Sequence, residues 1–151
     1  MRTILKIVLI GALSAFASPL AAPSAMAEGG IKEATLYKAP QCGCCESYAD
    51  YLRDNGFKVT VKPTHDLPLI KRQHGVSQFL EGCHTTLIGA YVVEGHVPVT
   101  AIERLLAEKP KIKGISLPGM PTGSPGMSGP KTQPFTIFEI GAGAPKVYAI
   151  E

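Results

Sequence analysis

Apolar residues recur along this chain in two rhythms, and the switches between them outline an alternating α/β order. Ala34-Thr35-Leu36-Tyr37 reads as a short strand, and Lys38-Ala39-Pro40-Gln41 as the turn that leaves it. From Cys44 the spacing lengthens to three and four residues, through Tyr48, Tyr51 and Leu52, which predicts a helix. Asn55-Gly56 stops it with a residue able to take positive φ. Phe57-Lys58-Val59-Thr60-Val61 alternates apolar and polar as a half-buried strand does. Asp66 is placed to cap a second helix running to about His74, with Gly75 as its stop. Thr85–Ile88 and Ala90–Val93 predict two strands around Gly89, followed by a Glu94-Gly95-His96 turn. A third helix runs from Pro98 to Ala107, with proline near its first turn and Pro110 beyond its end. Residues 114–130 lose the rhythm and take on Gly/Pro/Ser loop composition, with Met120 and Met127 each preceded by glycine. Phe135–Glu139 and Lys146–Ile150 close the chain as a hairpin around Gly141-Ala142-Gly143.

The N-terminus follows a different pattern. A short stretch carrying Arg2 and Lys6 precedes the apolar run Ile7–Leu13, and Ala25-Met26-Ala27 then supplies an A-x-A cleavage signal. This combination predicts a secretory signal peptide over residues 1–27. Ser14, Ser18 and Pro19 break the apolar run well short of the roughly 20 residues a spanning helix needs. Cleavage leaves residues 28–151 as one domain, outside the cytosol. The short leader of bacterial type points to the periplasm and to no membrane attachment after cleavage. The 15 basic and 12 acidic residues of the whole chain come close to balance once Arg2 and Lys6 are removed. Near-neutrality argues against nucleic acid or anionic lipid as partners.

The order β-α-β-α-β-β-α is the thioredoxin/glutaredoxin arrangement. It predicts a thioredoxin-like α/β fold, a central mixed sheet flanked by helices, extended by the Gly/Pro/Met loop and the C-terminal hairpin. In that arrangement a C-x-x-C motif lies between the first strand and the first helix, where unpaired N–H groups and the positive end of the helix dipole favour thiolate. Proteins of this fold usually carry a proline just before the third strand. Here that stretch is Gly82-Cys83-His84-Thr85, so a thiol and an imidazole take its place.

All four cysteines therefore converge on one predicted location: Cys42, Cys44 and Cys45 from the Cys42-Gly43-Cys44-Cys45 run, and Cys83 from the distant loop. In the predicted fold the Cys83 sulfur comes within about 4 Å of another, the spacing of sulfurs that share a metal at bonds near 2.3 Å. Adjacent Cys44 and Cys45 are poorly placed to bond to each other. One disulfide, Cys42–Cys45 or one involving Cys83, is expected in the oxidised protein, because exported thiols are normally paired. A purely catalytic dithiol has no need of Cys44. Zinc is a weaker fit, since the paired C-x-x-C knuckles of structural zinc sites are absent. Crowded thiolates suit soft Cu(I), which tolerates bridging sulfur. His84, bonded directly to Cys83, reads as an auxiliary ligand or as a hydrogen-bonded loop histidine. His96 reads first as a polar turn residue and second as an auxiliary ligand; His65 and His74 read as surface. Met120 and Met127 are core fillers or thioether ligands that survive thiol oxidation.

Four segments carry a resemblance that extends over nearly all of the exported chain. They are Tyr37 to Cys45, Cys83-His84-Thr85, Gly89 to Pro98 and Pro118 to Met127. In this order they resemble the DUF411 family of small secreted metal-binding proteins, which includes copper-resistance proteins of the CopG type. The resemblance implies a periplasmic, thioredoxin-like protein that binds a multinuclear copper cluster through its cysteines. It also implies a role in copper resistance, through interconversion of copper oxidation states, with copper ions, other periplasmic copper-resistance proteins or a thiol reductant as partners.

Three functions compete. The first is a copper-binding protein with a Cu(I)-thiolate cluster on Cys42, Cys44, Cys45 and Cys83, with His84, His96, Met120 and Met127 closing the site or passing copper. The second is a thiol–disulfide oxidoreductase with Cys42 attacking and Cys45 resolving. The third is a passive copper store or carrier.

Overall fold

A computed structural model describes residues 32–151; the expected leader lies outside them. Alternation over Lys32–Lys38 forms strand β1, whose inward residues are Ala34, Leu36 and Lys38. Helix α1 spans Gly43–Asp54 with Cys42 at its N-cap, and buries Cys45, Tyr48, Ala49 and Leu52 on one face. Strand β2 is Phe57–Pro63 and helix α2 is Leu67–Gln73. A single 3-10 turn, Gln78–Leu80, leads to the antiparallel strands β3, His84–Ile88, and β4, Tyr91–Glu94. Helix α3 follows at Val99–Glu108, then β5 at Gly114–Ser116, β6 at Thr136–Ile140 and β7 at Val147–Ile150.

The strands form one mixed sheet in the order β2-β1-β3-β4-β5-β6-β7. Its first four strands are the thioredoxin-like unit: β1 runs parallel to β2 and antiparallel to β3. Helices α1 and α3 share the main core with one face of the sheet, through Leu36, Tyr48, Leu52, Ile102, Leu105, Ile115 and Ile137. A smaller cluster on Val76, Leu80, Val92 and Ile140 lies apart from it. The Tyr51 hydroxyl accepts the first-turn amide of α3 from Val99 at 2.8 Å, tying the two helices together.

The structure corrects three local expectations. The segment predicted as loop over 114–130 begins with a strand: Gly114–Ser116 pairs in parallel with Val92–Glu94 and carries the sheet on to the C-terminal hairpin. Gly-Ile-Ser is too short to show a period, so only pairing reveals it. Pro98 is the N-cap of α3 and lies outside its first turn. Asp66 occupies the N-cap of α2 but its side chain caps nothing; its own amide donates to the Thr64 hydroxyl at 3.0 Å.

Candidate metal centre

Period-two alternation decides which side chains meet at the top of the sheet. His84 stands opposite Lys38 across the β1–β3 pair, and Thr85 opposite Glu94 across the β3–β4 pair. Successive residues of a strand point to opposite faces. His84 accordingly packs against α1, and Thr85 turns with Glu94 toward α2. Cys83 sits just before the strand begins, between the two.

The four cysteines meet there. Cys83 Sγ lies 3.2 Å from Cys42 Sγ, 3.4 Å from Cys45 Sγ and 3.5 Å from Cys44 Sγ, and Cys42 and Cys44 sulfurs are 3.5 Å apart. Cys42 and Cys45 are joined as a disulfide, with Cys44 and Cys83 free. Cys45 is buried, whereas the other three are partly open to solvent. The run reaches this point because Lys38 holds its turn. The Lys38 side chain is 2 % exposed, donates to the carbonyls of Ala39 and Pro40 at 3.2 and 3.1 Å, and pairs with Glu46 in the first turn of α1 at 2.9 Å.

Cys83 is held from the α2 face. Glu94, fully buried, pairs with the buried Lys71 of α2, accepts the Gly82 amide at 2.7 Å and accepts the Thr85 hydroxyl at 2.6 Å. Lys71 also donates to the Gly82 carbonyl at 3.0 Å. A Cβ on Gly82 would lie 2.5 Å from Gly95 Cα, so this close crossing of two backbone segments needs glycine. Burial keeps the Glu94 carboxyl above its usual range, opposed by the Lys71 charge.

Burial also pushes the Cys83 thiol up to about 11, with further contributions from the hydrogen bond and charge of Cys44, against a lowering influence from Lys71. The thiolate-favouring effect expected of the helix N-terminus is thus outweighed at Cys83 by loss of water. In the metal-free disulfide form this thiol carries its proton, and a metal ion must displace it.

His96, read as a polar turn residue, does lie in a bend after β4 but is fully buried. Its Nδ1 hydrogen-bonds to the Pro125 carbonyl at 2.7 Å, and its ring packs edge-on against His84 at 4.8 Å and Tyr48 at 5.3 Å. His84 is equally buried, 4.5 Å from the Tyr48 ring. Among the described residues, neither nitrogen of His84 nor the Nε2 of His96 has a hydrogen-bond partner of good geometry. Burial holds both imidazoles below their usual range, His84 strongly so, with the neighbouring His96 and Lys71 adding to its shift and a weak contact with the Gly95 backbone opposing it. Tyr48 anchors this side by donating from its hydroxyl to the Val97 carbonyl at 2.8 Å. His65 is exposed and His74 half-buried.

The methionine loop wraps this end of the sheet. Gly119 bridges Gly82, and its amide donates to the Glu81 carbonyl at 3.0 Å. Gly126, at φ +79°, lies so close to α1 that an added Cβ would sit 2.7 Å from Tyr48 N and 3.0 Å from Cys44 O. Met120 and Met127 each follow one of these anchoring glycines; Met120 is 55 % exposed and Met127 half-buried. Lys38, Lys71 and Glu94 were not singled out from sequence. A lysine at the end of an apolar strand and a glutamate ahead of Gly95 carry little signal on their own.

The family described as "Protein of unknown function, DUF411" matches residues 80–127, the stretch from the Cys83 loop to Met127. No curated protein matches. Two solved structures are similar over most of the chain. One, named copper resistance protein CopG, form 2, is 34 % identical, covers 80 % of this chain and 98 % of its own, and superposes with a TM-score of 0.73. The chain belongs to the DUF411 family. The second structure, CopG form 1, agrees closely, at 34 % identity, 79 % and 96 % coverage and a TM-score of 0.72. Among the described residues of this DUF411 chain, two groups of side chains have donor atoms close enough to share an ion: Cys42, Cys44, Cys45 and Cys83, and then Cys83, His84 and His96.

Proposed function

We propose that this protein binds copper in the periplasm as part of copper resistance, holding a multinuclear Cu(I)-thiolate cluster on Cys42, Cys44, Cys45 and Cys83. The observation that carries the reading is the packing of the Cys83 sulfur within 3.5 Å of all three others. Four sulfurs with so little room between them are a donor set for a soft ion that accepts bridging ligands. The name of the similar structures, copper resistance protein, supports copper as that ion. The expected leader supports export.

The disulfide defines how the site opens. Reduction of Cys42–Cys45 takes up two electrons and two protons from a thiol donor and yields two further ligands. Copper then displaces the thiol protons. The N-terminus of α1 stabilises the resulting negative charge. Closing the disulfide releases two electrons and two protons, enough to reduce two Cu(II) to Cu(I), and opening it takes two electrons from two Cu(I); this two-electron exchange beside bound copper is the route by which the protein would interconvert the two states.

The test is an anaerobic Cu(I) titration of fully reduced residues 28–151, counting metal per chain. Three or more copper ions per chain are expected, bound through sulfur. One or none would overturn the cluster. A second reading, a thiol–disulfide oxidoreductase, draws on the Cys42–Cys45 disulfide at a helix N-terminus. Cys44→Ser separates the two: it leaves a dithiol enzyme active and cripples a cluster.

A further inference from the structure

The cysteine cluster leaves unexplained two fully buried polar side chains beside it. His84 and His96 are both fully buried, and three of their four ring nitrogens have no well-formed hydrogen bond among the described residues. Buried polar groups are paired in the great majority of cases, and each exception calls for a cause. An unpaired buried donor or acceptor forfeits its hydrogen bonds to water and gains none in return. An apolar pair of similar volume would fill this space without that cost.

The fourth nitrogen indicates the cause. His96 Nδ1 faces the Pro125 carbonyl at 2.7 Å, so it is the protonated nitrogen and Nε2 keeps its lone pair free. Metal-binding histidines are commonly oriented this way, by donating the other ring N–H to a backbone carbonyl. One donor atom each from Cys83, His84 and His96 lies within 4.8 Å of the others. Donors that share one first-row ion sit about 3.5–4 Å apart, so a side-chain adjustment of about 1 Å closes the set. Two imidazoles and one thiolate are the donors of mononuclear copper sites that are stable in both oxidation states.

We propose that Cys83, His84 and His96 form a mixed nitrogen–sulfur copper site that shares the Cys83 thiolate with the cysteine cluster and keeps one copper ion bound while the Cys42–Cys45 disulfide is closed. The closed state withdraws two of the four thiols and leaves Cys83 free. Both histidines stay in place in that state. Binding exchanges the Cys83 thiol proton for Cu(I), with no change in oxidation state. The protein then has a soft sulfur site for several ions when reduced and a nitrogen-rich site for one ion when oxidised. The choice of copper rests on the function proposed above; the ligand set does not.

The test uses Cys44→Ala of residues 28–151, oxidised to the Cys42–Cys45 disulfide, so that Cys83 is the one free thiol. Cu(I) is added anaerobically against a chromophoric chelator, and the loaded protein is examined by X-ray absorption. One copper per chain is expected, with a shell of one sulfur and two nitrogens. His96→Gln in the same background should weaken binding at least about tenfold. No retained copper, or a shell lacking nitrogen, overturns the site, as does unchanged affinity in a folded His96→Gln. The absorption measurement needs no histidine variant and decides the matter if that variant fails to fold. Reduced wild-type protein, titrated in parallel, separates the two claims. Several sulfur-bound ions there, with none in the oxidised variant, would remove this site and leave the cluster standing. No copper in the reduced protein would remove the cluster.

Discussion

Two buried polar groups flank the Cys83 loop, one on each face of the sheet, and they differ in how their polar atoms are satisfied. On the α2 face, Glu94 has Lys71, the Gly82 amide and the Thr85 hydroxyl as partners. On the α1 face, among the described residues, the His84 ring has no well-formed hydrogen bond and the His96 ring has one. Both groups bear the cost of leaving water, but only the first recovers it inside the chain. A satisfied network of this kind holds a loop in one place. An unsatisfied one, equally buried, is what the proposed ligand set would look like before its ion arrives. The contrast separates positioning residues from binding residues where burial and charge alone do not.

Breaking the satisfied side should have the largest effect. Glu94→Ala leaves the Lys71 charge buried and unpaired, at a cost of about 3–5 kcal/mol, a large share of a small domain's stability. Denaturant unfolding measures it, and adding Lys71→Met should restore much of the loss by removing the stranded charge. If Glu94→Ala is neutral, the pair does not hold the loop.

Cys83→Ser should come next, since Cys83 belongs to both donor sets. Copper bound per chain should fall in the reduced protein and vanish in the oxidised one, read by the same anaerobic titrations. A change in affinity with unchanged stoichiometry would mean that Cys83 bridges nothing.

The unsatisfied side should reveal itself through pH. With both imidazoles held below their usual range, the unfolded chain takes up protons that the folded chain refuses as pH falls below about 6.5. Metal-free protein should therefore lose up to about 1.4 kcal/mol per pH unit for each histidine between roughly pH 6.5 and 5. His84→Leu should flatten this slope and leave stability at pH 7 equal or higher. On the alkaline side, the Cys83 thiol, raised to about 11, contributes stability that is present below about pH 9 and lost as pH climbs toward 11. Cys83→Ala should abolish that alkaline decline. Chemical denaturation at several pH values checks both limbs.

The covering loop should respond more weakly. Gly126→Ala forces a side chain into positive φ and against α1, for about 1–2 kcal/mol, seen as a lower melting temperature. Met120→Ala, at an exposed position, should move stability by no more than about 0.5 kcal/mol; a larger loss would make Met120 a packing residue.

Much of the fold was readable because its signals are local. The switches of period at Leu36, Tyr48 and Val59, and the stops at Gly56, Gly75 and Gly89, mark elements that the structure bears out within a few residues. Their order, read by analogy with the thioredoxin/glutaredoxin arrangement, pointed to the thioredoxin-like topology. Strand β5 escaped notice because three residues hold no period and its evidence is a partner, β4.

The chain by itself determined the elements, the crowding of Cys42, Cys44 and Cys45 at one helix start, and the thiol and imidazole standing where this fold usually has proline. Tertiary structure alone decided which polar residues are buried and what they face. Glu94-Gly95-His96 reads as a turn, and the folded chain buries its glutamate against Lys71 and its histidine against His84 and Tyr48. Alternation tells which residues share a face of a strand, but not what covers that face. The covering pieces, Lys71 of α2 and the Pro125–Gly126 loop, come from 23 positions before Glu94 and 29 after His96. Burial is set by such long-range packing, and no local pattern encodes it.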